Sequence, residues 1–61
     1  MYFKDLRPNM VVEMRGGEYS YVIRYVTPLQ ACIQDRATGG LFIVEANGAM
    51  IPHLTPNGLL V

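Results

Sequence analysis

The chain predicts an all-β domain, a small antiparallel barrel of five to six strands. Three observations carry that expectation. Six Gly and four Pro punctuate 61 residues, so ordinary helices have no room. The pieces between them are rich in Val, Ile, Tyr, Phe and Leu, which is strand composition. The dipeptides Gly16-Gly17 and Asn47-Gly48 each separate two such pieces, as hairpin turns do.

The first hairpin runs from Met10 to Val26. A two-residue Gly16-Gly17 loop tolerates the positive φ of a primed turn. It sets Arg15 opposite Glu18, Met14 opposite Tyr19, Val12 opposite Tyr21 and Met10 opposite Ile23. One face then carries Met10, Val12, Met14, Tyr19, Tyr21 and Ile23, the expected core side. The other carries Val11, Glu13, Arg15, Glu18, Ser20 and Val22. A slip of one residue would mix the two sets.

Pro28 suits the second position of a turn over Val26–Gln30, and Ala31–Asp35 follows as a short third strand. Asp35–Gly40 reads as a loop ending in permissive glycines. Asn47-Gly48 then pairs Ala46 with Ala49, Val44 with Ile51 and Phe42 with His53. Pro52 makes the returning strand an edge or irregular. Asn57-Gly58 is read as a last turn before the apolar tail Leu59-Leu60-Val61. Strand count and length fit an SH3-like barrel best. A five-stranded OB-type barrel is the runner-up, and an open meander that dimerises through its edge is third.

Composition excludes several classes. Five Lys+Arg balance five Asp+Glu, so the positive excess that drives generic nucleic-acid or anionic-membrane binding is missing. No apolar run is long enough for a transmembrane helix. Cys32 is the single cysteine, so no internal disulfide forms, and a free thiol fits a cytoplasmic location. Cys32 and His53 are the only soft metal ligands, too few for a site, and no cofactor is expected.

The segment Asp5-Leu6-Arg7-Pro8-Asn9-Met10-Val11-Val12-Glu13-Met14-Arg15-Gly16-Gly17 resembles the opening of small phage- or prophage-type SH3-like barrel proteins of unknown function. Those read Asp-Leu-basic-Pro/Thr-Gly, then Met-Val-Val-Glu-Leu, a basic residue and a turn. This chain has Asn9 where Gly is usual and Gly16 where Asn or Asp is usual. Both replacements adopt positive φ readily. The resemblance implies an SH3-like fold and a bacterial mobile-element origin, and it carries no catalytic residues.

Tyr19, Tyr21 and Tyr25 alternate along one strand and are ligand-contact candidates, either a stacking platform or core and rim packing. Arg24 and Arg36 are the cationic candidates, within a mixed rather than basic surface. Asp35–Gly40 could cradle a phosphate through its N–H groups, but it lacks the Lys and helix of a P-loop. No nucleophile, base and orienting group fall together, so the chain is read as non-enzymatic. The clearest functional signal is apolar surplus. Leu41, Ile43, Met50 and Leu54, with the tail Leu59, Leu60 and Val61, exceed what a monomer's outer face should carry, which marks an interface or, with a different register, a tail that packs across the barrel as a plug. The expected role is a protein-interaction or oligomerisation module, partnered by its own copies or another protein. A nucleic-acid-binding regulator acting as an oligomer is the second hypothesis. Small-molecule binding at a subunit interface is the third.

Overall fold

A computed structural model describes residues 2–46 and 54–60. Its order is a 3-10 turn over Phe3–Asp5, then β1 (Met10–Met14), β2 (Ser20–Val26), β3 (Gln30–Asp35), β4 (Leu41–Glu45) and β5 (Leu54–Leu60). All five strands join one antiparallel sheet in the order β4-β3-β2-β1-β5. The all-β expectation is met.

The entry to β1 is set by two residues. The amide of Met10 donates to the Arg7 carbonyl at 3.2 Å, closing a turn with Pro8 second and Asn9 third. Asn9 has φ 71°, as the third position of a type II turn requires. Its own N–H donates to the Ile23 carbonyl at 2.7 Å, tying the turn to β2.

The register of the first hairpin is the expected one. Val12 faces Tyr21, Val11 faces Val22 and Glu13 faces Ser20. The tip differs. The Gly17 amide donates to the Met14 carbonyl at 2.8 Å, and the Met14 amide donates to the Tyr19 carbonyl at 2.9 Å. The loop is therefore Arg15–Glu18 rather than two residues. A turn begun at Met14 puts Gly16 (φ 96°) where positive φ is needed, and Gly17 (φ 75°) then completes the reversal.

The core lies on the side expected. Phe3, Leu6, Val12, Ile23, Ala31 and Ile33 form one buried cluster, with Met10, Met14, Tyr21, Val26 and Val44 packed against it. Val11, Val22 and Cys32 are also buried, on the other side of the sheet by strand alternation. The outer side expected to be solvated is thus covered at those positions.

Two irregularities reshape the sheet. Ile23 faces Ile33, but Tyr25 faces Cys32, so β2 carries one extra residue, Arg24. Such a bulge bends its strand and re-aims the side chains beyond it. On β5, Val12 faces Pro56 while Met10 faces Leu60. Asn57-Gly58 is therefore not a turn before a free tail. It lies inside a strand hydrogen-bonded to β1, in the irregular stretch between the two pairings.

The sheet is not closed. β4 is paired with β3 and β5 with β1, which leaves them at opposite edges. Closure requires hydrogen bonding between the terminal strands, and among the described residues these two make none. The expected Asn47-Gly48 hairpin, with its return through Met50, Pro52 and His53, lies outside the described residues, as does Val61.

Candidate functional site

The Arg24 bulge decides where the tyrosines point. Up to Ile23, odd-numbered β2 residues face the core. Beyond the bulge the parity reverses: Val26 turns inward opposite Ala31, and Tyr25 turns outward opposite Cys32. Tyr21 stays on the core side, half-buried, and its ring meets Phe42 edge-on. Tyr19 lies before β2 and is 53% exposed. Tyr21 and Tyr25 therefore lie on opposite faces of the sheet, which the alternation in sequence could not reveal.

The same bulge assembles a different surface. Cys32 faces Tyr25 on one side and Ile43 on the other, so these three residues form one cross-strand row on the outer face. Cys32 is buried at its centre, while Tyr25 is 44% and Ile43 52% exposed. Leu41, opposite Gln34 on the same face, is 63% exposed. Two members of the expected interface, Leu41 and Ile43, thus lie on the same face as one expected ligand-contact tyrosine.

The rest of the expected interface is elsewhere. Leu54, Leu59 and Leu60 belong to β5, separated from β4 by three strands. At about 4.8 Å per strand, four steps separate the two edges by roughly 19 Å along the sheet. Met50 and Val61 lie outside the described residues.

Arg24 and Arg36 are both exposed. Arg36 is committed to the fold: its amide donates to the Ser20 carbonyl at 3.0 Å, and its Nη1 lies 3.4 Å from the Ser20 hydroxyl. The adjacent loop does not cradle an anion. Asp35 Oδ1 accepts from the amides of Ala37 (2.7 Å) and Thr38 (3.2 Å). The Gly39 amide donates to the Asp35 carbonyl and the Gly40 amide to the Thr38 hydroxyl. Each N–H from Arg36 to Gly40 already has an acceptor. The loop is a self-satisfied hairpin connection, organised by Asp35 as a hydrogen-bond acceptor.

A concavity lies between the 3-10 turn and the β2–β3 turn, about 370 Å³ in volume. Sequence reasoning did not find it, because its two walls lie some twenty residues apart in the chain. Among the described residues, no helix is long and apolar enough to cross a membrane. No family model matches the chain, and neither the curated proteins nor the solved structures contain a significant match to it.

Proposed function

We propose that this protein is a non-enzymatic interaction module that associates with its own copies through the outer face of β3 and β4. The observation that carries this reading is the row Tyr25–Cys32–Ile43 with Leu41 beside it. Three large side chains, each well exposed, sit together around a buried thiol. Contiguous apolar surface of this kind marks interfaces. A second copy is the natural occupant because the formal net charge is zero, so copies do not repel. Three exposed apolar side chains are few against the roughly 20–30 residues a side of a standard interface. Association should therefore be weak and reversible.

We further propose an SH3-like architecture and a mobile-element origin. The strand order β5-β1-β2-β3-β4 supports the first, with a β2 bent by its bulge so that it can serve two halves of a partly open barrel. The resemblance of Asp5–Gly17 supports the second, and the positive φ of Asn9 is consistent with it.

Light scattering over a dilution series tests self-association, comparing the natural chain with Ile43→Lys and Leu41→Lys. Both sites are exposed, so both variants should fold. A mass that rises with concentration, and that either variant returns to monomer, supports the proposal. A monomer at every concentration overturns it. Truncation before the tail is the wrong control, because β5 pairs with β1 and its loss would damage the fold.

A further inference from the structure

We infer that the cleft between the 3-10 turn and the β2–β3 turn binds small organic carboxylates with an apolar body. This is independent of self-association, which uses another surface. The volume, about 370 Å³, falls at the small end of the range of ligand pockets. Its floor and walls are apolar: Phe3, Leu6, Val26 and Pro28. Phe3 and Leu6 are themselves almost fully buried, so the floor belongs to the core and does not need to form when a ligand arrives.

The polar groups at this cleft have one sign. Among the described residues Lys4 and Arg7 line it, and no Asp or Glu does. Arg7 is oriented: its Nη1 donates to the Lys4 carbonyl at 2.7 Å and to the Leu6 carbonyl at 2.8 Å. Among the described residues Nε and Nη2 have no acceptor, so the guanidinium is held in place with donors to spare. A fixed fork of this kind suits a carboxylate. Lys4 Nζ stands 5.7 Å from the centre of the Tyr2 ring and adds a second positive charge. Thr27, the remaining lining residue, is not a recognition group. Its hydroxyl accepts from the amides of Leu29 and Gln30 and points its proton to the Gln30 carbonyl. An apolar floor below two cations is complementary to a hydrophobic body that ends in an anion.

The test is a two-dimensional amide NMR titration with phenylacetate, 3-phenylpropionate and 4-methylvalerate, and with the neutral isostere phenylacetamide. At least one carboxylate should shift amides confined to Phe3–Arg7 and Val26–Leu29, saturating with a Kd of about millimolar, as expected for a fragment-sized ligand. Phenylacetamide should bind more weakly, and added salt should weaken only the carboxylates. Lys4→Gln, a change at an exposed side chain, should raise Kd by about two- to fivefold. Arg7→Lys, which keeps the charge and loses the fork, should raise it further, with spectral dispersion showing that the fold persists. The inference is overturned if no carboxylate produces saturable shifts. Equal binding of the amide, or shifts centred on β4, would overturn it as well.

Discussion

The ring of Phe42 on β4 stands at 87° to the ring of Tyr21 on β2, with centroids 6.2 Å apart, although β3 runs between the two strands. Both side chains are on the core side, above Ile33, which faces Phe42 directly and Ile23 on its other flank. The pair reaches over the middle strand. Edge-on geometry places the positive rim of one ring on the negative face of the other.

A double-mutant cycle with Tyr21→Leu and Phe42→Leu isolates this contact. The coupling should be about 0.5–1.5 kcal/mol beyond the sum of lost burial. Urea denaturation of the four proteins measures it. Additive single effects would show that the rings stand side by side without interacting.

Asn9 holds a left-handed backbone at φ 71° while its amide ties the turn to β2. Asn9→Gly should leave stability within about 0.5 kcal/mol, because glycine enters this region freely. Asn9→Val should cost roughly 1–3 kcal/mol, because a branched side chain is strained there. The separation of the two urea midpoints reads out the backbone requirement. Equal midpoints would mean that the turn relaxes.

Asp35→Ala removes the acceptor for two loop amides, those of Ala37 and Thr38. The expected loss is about 1 kcal/mol, since water replaces part of what is removed at an exposed loop. Asp35→Asn keeps the side-chain oxygen and should retain most of the stability. Thermal melts of both variants discriminate an acceptor role from a charge role. A loss in Asn as large as in Ala would point to charge.

Ile23 is fully buried and lies just before the bulge. Truncation to Ala should cost about 2–5 kcal/mol. A domain of this length has only about 3–9 kcal/mol in total at ordinary stability per residue. Ile23→Ala should therefore be largely unfolded, with collapsed amide dispersion by NMR. Ile23→Val, costing about 0.5–1.5 kcal/mol, should remain folded. A well-dispersed Ala variant would show that the core is larger than the described cluster.

Sequence alone determined the local chemistry of this protein. The all-β class follows from breaker spacing and strand composition. The register of the first hairpin follows from matching the faces of Met10–Met14 and Tyr19–Ile23, because any slip would expose the apolar set. Pro8 and Asn9, and Pro28 after Thr27, announce turns through φ preferences that each residue carries with it.

The tertiary structure decided what depends on bulges and on pairing beyond the first hairpin. A single extra residue at Arg24 reverses the parity of β2, so Tyr25 leaves the face it shares with Tyr21 in any unbroken strand and joins Ile43 across Cys32. No composition or periodicity records a bulge, because it exists only relative to a partner strand. Likewise Asn57-Gly58 carries a strong turn signal, yet β1 holds it inside β5. The cleft beside Arg7 arises only when the 3-10 turn packs on the end of β2. Local preference sets which conformations each residue accepts. Long-range pairing, with its cost in chain entropy, selects among them, and so it places the surfaces on which this protein can act.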